Sequence, residues 1–225
     1  MFQKVFDFFI MTVVTDGSSS YDLTLAGNLA LLFIVALLFV VMAAFAGYKN
    51  KARVKQLAFS AMAVSLAVVT SFIKLPSLPF GGSVTLFSMF FICLIGYLYG
   101  TKSGIITGIA YGFINLIIQP YLYHPVQVLL DFPIAFGCLG LSGVFADSKY
   151  GIVKGYILGV FGRYICHVIS GYVFFASYAP KGMNPMIYTL GYNATYIVPE
   201  MIITILFLPF FQVALKQVRK MAIDE

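Results

Sequence analysis

Charge is what this chain of 225 residues is shortest of: Asp, Glu, Lys and Arg make up 10% of it, and only eight residues are acidic. A soluble domain carries roughly 25% charged residues. With 61% hydrophobic residues and a mean hydropathy of +0.96, the sequence excludes an ordinary water-soluble enzyme and a disordered chain. The net charge of +6 comes from fourteen Lys and Arg scattered singly or lying between apolar runs. That pattern marks topology and excludes a nucleic-acid-binding module. Cysteine is scarce as well. Cys93, Cys138 and Cys166 lie inside apolar runs without CxxC spacing, which reads as packed thiols and gives neither a metal site nor a disulfide framework. Tryptophan is absent, so all ring surface comes from 23 Phe and 15 Tyr. The Walker, HExxH and GxSG patterns are missing too. These absences count against an intramembrane enzyme, such as a protease using Ser170 and His167, and the energy for any transport must come from a gradient or a partner.

What is present is a series of apolar runs near the roughly 20 residues that a membrane-crossing helix needs. Seven such spans are read at 25–47, 56–73, 83–99, 103–119, 126–146, 155–178 and 185–215. A kink is expected at Pro199 within the last. Residues 1–21, with Lys4, Asp7, Asp16 and an Asp-Gly-Ser-Ser-Ser turn, do not read as a signal peptide. Placing the basic segment Lys49, Lys51, Arg53 and Lys55 in the cytoplasm puts ten cationic residues inside and three outside. The N-terminus is then outside and the C-terminus cytoplasmic. The expected fold is an all-α, polytopic membrane helical bundle. It divides into an N-terminal extension, 1–55, with one transmembrane helix and a basic linker, and a six-helix domain, 56–225.

The division rests on where the polar groups fall. Asp131, Arg163, His167 and Glu200 all lie in apolar runs after residue 56, and an ionisable residue inside a span is a functional candidate by default. Arg163 and His167 share a helix face at i, i+4, and Asn193, Tyr196 and Glu200 share another at i, i+3, i+7. Two readings stand for Arg163 and Glu200, a structural ion pair or part of a site. Asn193 and Tyr188 are either interhelical hydrogen bonders or ligand contacts. Tyr188 lies about 140° from Asn193 around an ideal helix. Together with the outer aromatic residues, these groups describe a pocket suited to a flat, cationic, heteroaromatic ligand. A small-residue stripe, Ala63-Val-Ser-Leu-Ala67, reads either as packing within the bundle or as a surface for another helix.

Four segments carry a family resemblance. They are Leu78-Pro-Phe-Gly-Gly-Ser-Val-Thr85, His124-Pro-Val-Gln-Val-Leu-Leu-Asp-Phe-Pro133, Arg163-Tyr-Ile-Cys-His-Val-Ile-Ser-Gly171, and Ser177-Tyr-Ala-Pro180 followed by Met183-Asn-Pro185 and Tyr188 through Asn193. In order and spacing they resemble the thiamine-specific S component of energy-coupling factor (ECF) transporters, across residues 56–215. The resemblance implies a six-helix S-component core with one extra N-terminal transmembrane helix. It implies a multi-pass protein of a prokaryotic plasma membrane, surrounded by lipid, that is a substrate-capture subunit and not an enzyme. Its partners would be thiamine, a transmembrane coupling subunit and two ATPase subunits, with no cofactor, metal or nucleic acid. By the same resemblance the thiamine site comprises Asp131, His167, Phe175, Tyr188 and Asn193, with Phe175 and Phe80 in place of the family's tryptophans. Ala63 and Ala67 would face the coupling subunit. Within the class, riboflavin and biotin are the alternative substrates. Outside it, the rival is a stand-alone proton-coupled carrier using Asp131, Arg163 and Glu200.

Overall fold

The computed structural model describes residues 51–77 and 82–223, and in the N-terminal segment residues 8, 10–15, 18–27, 29, 30 and 33. Most of the expected first span, 25–47, and Phe80 therefore lie outside the described residues. Strands β1 (Ile10–Thr15) and β2 (Ser18–Leu23) pair antiparallel, Ile10 opposite Leu23. Helix α1 (Lys51–Ser71) follows, and then a small antiparallel pair, β3 (Lys74–Ser77) and β4 (Ser83–Thr85). Next come α2 (Ser88–Tyr99) and α3 (Thr101–Ile118), joined through Gly100 at φ 85°. The bundle is completed by α4 (Pro125–Phe145), α5 (Gly151–Phe174), α6 (Pro185–Phe207) and α7 (Gln212–Ile223).

Five of the described helical stretches are long and apolar enough to cross a membrane. The exception is α2. The expected third span, 83–99, begins with β4 and leaves a helix of 12 residues, roughly 18 Å long at 1.5 Å per residue and short of the ~30 Å hydrocarbon core. Periodicity cannot separate a short buried strand from the start of a helix, which is why the run read as one element. In the last span, α6 runs as α-helix through Pro199, and a tighter turn follows at Leu208–Phe211, around Pro209.

Glycine sets how closely the central helices meet. A side chain at Gly112 of α3 would put its Cβ 2.6 Å from the Phe132 carbonyl oxygen of α4, and one at Gly108 would overlap the Phe136 carbonyl. Small residues of this kind let membrane helices approach backbone to backbone. α4 is thereby seated against α2, α3 and α5, with Tyr111, Met89, Ile92, Leu139, Tyr156 and Val160 fully buried around it. Cys138 of α4 and Cys166 of α5 are free thiols whose sulfurs lie 3.7 Å apart.

The structure corrects the orientation of the alanine stripe. Ala63 is 5% exposed and Ala67 is 0% exposed, and the Ala67 carbonyl accepts a hydrogen bond from the Tyr111 hydroxyl at 3.3 Å. This face of α1 packs inside the chain's own bundle, so it does not present a surface to another subunit. The small residues that do face outward are Ala58, Ala61 and Ser65, and the Ser65 hydroxyl is turned back onto the Ala61 carbonyl at 2.9 Å. Sequence alone could not separate two small-residue edges on one helix. A large ring at the buried edge overpacks a dense core. Ala67→Trp is therefore expected to lower the unfolding temperature in detergent by several degrees, with Ser65→Trp close to wild type. Equal thermal stability of the two variants would contradict this packing.

Candidate functional site

The site is built on an irregularity in α4. His124 caps the helix, its Nδ1 accepting from the Val126 N–H at 3.2 Å, and Pro125 occupies the first turn. Pro133 has no N–H to donate. At that point the hydrogen-bond ladder widens to a π turn over Leu130–Ile134, with the Ala135 N–H reaching the Leu130 carbonyl. Such a bulge inserts one residue per turn and re-aims the side chains within it. Asp131 sits in the bulge.

Its carboxylate is met by three donors from two helices. The Gln127 amide donates to Oδ2 at 2.6 Å, and the Ser170 hydroxyl donates to the same oxygen at 2.9 Å. His167 Nδ1 lies 3.1 Å from Oδ1. On α5, Arg163, His167 and Ser170 follow at i, i+4, i+7 and so share one face. The Arg163 Nε–H donates to His167 Nε2 at 3.3 Å. A ring nitrogen that accepts carries no proton, so this bond assigns the proton of His167 to Nδ1, which donates to Asp131. Arg163, His167 and Asp131 form a directed relay, with the guanidinium 4.2 Å from the centroid of the Phe136 ring. A carboxylate has about four lone-pair positions. Three are taken, and one remains for a ligand donor.

The relay lines a cavity of about 360 Å³, within the roughly 300–1,000 Å³ typical of small-molecule sites. Phe175 stands in one wall, with ring centroids 5.7 Å from Tyr121, 5.1 Å from Tyr123 and 5.9 Å from Tyr178. The other wall is a tyrosine ladder on α6. Tyr188 and Tyr192 are 5.9 Å apart, and Tyr192 and Tyr196 are 6.0 Å apart. Tyr188 and Asn193 both reach the cavity despite their angular separation, because the cavity spans more than one face of α6. Burial pushes the phenol of Tyr121, in the loop between α3 and α4, up to about 12. It therefore stays neutral at physiological pH.

Of the residues singled out in the sequence, Asp131, His167, Phe175, Tyr188 and Asn193 are brought together around this cavity. Asn193 is largely committed within the protein. Its amide donates to the Thr189 carbonyl at 2.9 Å and the His167 carbonyl at 3.3 Å, and its oxygen accepts from Tyr196. Glu200 is not paired with Arg163. It is buried and accepts from the Thr85 hydroxyl at 2.6 Å, the Ser88 hydroxyl at 3.1 Å and the Met89 N–H at 3.3 Å, which fastens β4 and the start of α2 to α6. That geometry removes the ion-pair reading of Arg163 and Glu200. Sequence reading missed Gln127 and Ser170 as partners of Asp131. Their signal was faint, an i, i+4 Gln–Asp pair and a Ser three residues after the His. Among the described residues, no three of His, Cys, Asp or Glu converge as a metal-ligand set.

Comparison with known proteins gives concordant results. The family model described as "Thiamine transporter protein" matches residues 57–220. "Thiamine transporter ThiT" of Bacillus subtilis (strain 168) is 42% identical over 158 residues, covering 64% of this chain and 81% of that protein. The protein of the same name from Lacticaseibacillus paracasei is 34% identical over 103 residues, 38% of this chain and 51% of its own. Among solved structures, ThiT from Listeria monocytogenes matches with a TM-score of 0.63 at 22% identity, over 77% of this chain and 99% of that one. This last likeness establishes the fold.

The relay carries its own test. Ring-15N labelling of the two histidines should report His167 as the Nδ1–H tautomer at neutral pH. Arg163→Met should alter the Nε2 resonance by removing its donor. An Nε2–H tautomer in the wild type would refute the assigned direction of the relay.

Proposed function

The chain belongs to the thiamine transporter protein family, and from that membership we propose that it is the substrate-capture (S) subunit of an ECF-type importer. It takes thiamine from outside the membrane and delivers it by reorienting as a unit. ATP is hydrolysed by two ATPase subunits, and a transmembrane coupling subunit connects them to this one. The observation that carries the reading is the pairing of a directed Arg163–His167–Asp131 relay with aromatic walls around one cavity. Thiamine combines a cationic thiazolium with an aminopyrimidine. The tyrosine and phenylalanine rings suit the first through stacking and cation–π attraction. The open lone pair of Asp131 suits the amine of the second. His167, Phe175 and Tyr188 flank the heterocycles, and Asn193 holds α6 to α5 beside them.

The division into an extension, 1–55, and a substrate-binding domain, 56–225, is supported by the start of the family match at residue 57. The bias of cationic residues supports an N-terminus outside and a C-terminus in the cytoplasm. For the coupling subunit, the outward edge Ala58, Ala61 and Ser65 of α1 offers the close approach that a neighbouring helix requires.

Calorimetric titration of purified protein with thiamine, riboflavin and biotin tests the substrate. Saturable binding of thiamine alone is the expected result, and binding of another vitamin in preference to it would refute the reading. Asp131→Asn should weaken thiamine binding by about tenfold or more, since a hydrogen bond to a charged group contributes about 1.5–3 kcal/mol. An unaltered affinity would remove Asp131 from the site. Ser65→Trp should bind thiamine like wild type but fail to co-purify with the coupling subunit. Normal co-purification would place the interface elsewhere.

A further inference from the structure

Gln127 is 0% exposed, yet it is polar and sits one turn before Asp131 on α4. A buried amide persists only where its hydrogen bonds are met, and the partners of this one are informative. Its Oε1 accepts from the Tyr123 N–H at 3.1 Å. Its Nε2 donates to Asp131 Oδ2 at 2.6 Å and lies 3.3 Å from the Tyr121 carbonyl. One side chain therefore holds the backbone of the loop that supplies Tyr121 and Tyr123 and, at the same time, the carboxylate of the relay. Those two tyrosines, together with Tyr178, pack against Phe175, and Tyr121 lines the cavity beside it. The aromatic wall and the carboxylate belong to different segments, and Gln127 spans them.

We infer that Gln127 is a positioning residue for ligand capture, setting the Asp131 carboxylate and the Tyr121–Phe175 wall, with Tyr123 packed on Phe175, in one register. This inference rests on the reading of the cavity as the thiamine site. The amide's donor occupies one lone-pair position of Oδ2 and the Ser170 hydroxyl another. With His167 on Oδ1, they leave the carboxylate a single open direction. Without the Gln127 donor, the carboxylate gains a second free position and loses its fixed orientation. A ligand then meets a less organised acceptor, with the consequence seen first in its dissociation rate.

The variant that tests this role is Gln127→Glu, and the Asp131→Asn background separates its effect on the carboxylate from its effect on the loop. It keeps the acceptor for the Tyr123 N–H and the volume of the side chain while replacing the amide that donates to Asp131, and more weakly to the Tyr121 carbonyl, by a second carboxylate oxygen. Thiamine affinity should fall by about tenfold or more, mainly through faster dissociation. In an Asp131→Asn background the same substitution should cost less than about threefold, because the Asn amide can donate to Glu and the oriented carboxylate is gone. An equal loss in both backgrounds would mean that Gln127 does not act through Asp131 and would overturn the inference. So would an unchanged affinity of the single variant. Failure of the functional reading is distinct and appears as wild-type protein with no thiamine affinity. In that event, or if Asp131→Asn binds too weakly to titrate, the ring-15N spectrum of His167 decides without ligand. A shift of its resonances in Gln127→Glu supports the positioning role, and resonances identical to wild type overturn it.

Discussion

A carboxylate inside an apolar bundle must be met by donors, because an unpaired charge there is costly enough to unseat the fold. Asp131 is met by Gln127 from its own helix and by His167 and Ser170 from the next. The local features of α4 serve this arrangement. Pro133 coincides with the π turn that holds Asp131, and the glycines of α3 let α4 seat closely enough to carry it. On α5, His167 and Ser170 supply two of the direct donors within four residues, and Arg163 behind them fixes which nitrogen of His167 bears the proton.

The charge balance of the relay bears on how a cation is selected. Asp131 and Arg163 offset each other across the imidazole, so the relay presents a weak net field to the cavity. Attraction for a cationic ring falls to the surrounding π faces, whose contribution grows when water is excluded. The carboxylate contributes direction through its one open lone pair. Glu200, the acid buried on α6, is spent on structure. Its three donors join β4, α2 and α6, and this fixes the strand whose residues Ser83 and Thr85 line the same cavity.

Much of this was legible in the sequence for a plain reason. Polar residues stand out against apolar runs, so Asp131, Arg163, His167, Asn193 and Glu200 were found, and i, i+4 spacing joined two of them correctly. Partnership across helices was not legible. Arg163 and Glu200 matched by charge, yet the acid is satisfied by hydroxyls and a helix N-terminus that sequence spacing cannot bring near. The shortness of α2 was hidden because Ser83–Thr85 carries no charge, Gly or Pro to set it apart from the apolar run at Ser88–Tyr99. The alanine stripe failed on rotation. Ala61 and Ser65 differ from Ala63 and Ala67 by about half a turn, and hydropathy alone does not say which edge meets the bundle. Gln127 was passed over because it is the second residue of the span read at 126–146, at the edge of the apolar run, where an amide does not stand out as Asn193 does.

The central claim is that the single open lone pair of Asp131 reads an N–H donor on the ligand. The most direct test is competition at the wild-type protein between thiamine and its 4-oxo analogue, in which the ring amine is replaced by a carbonyl oxygen. Loss of one hydrogen bond to a charged acceptor predicts a preference for thiamine of about tenfold or more. In Asp131→Asn, where the amide can donate to that oxygen, the preference should shrink or reverse. Equal affinities of the two ligands for the wild type would contradict the account.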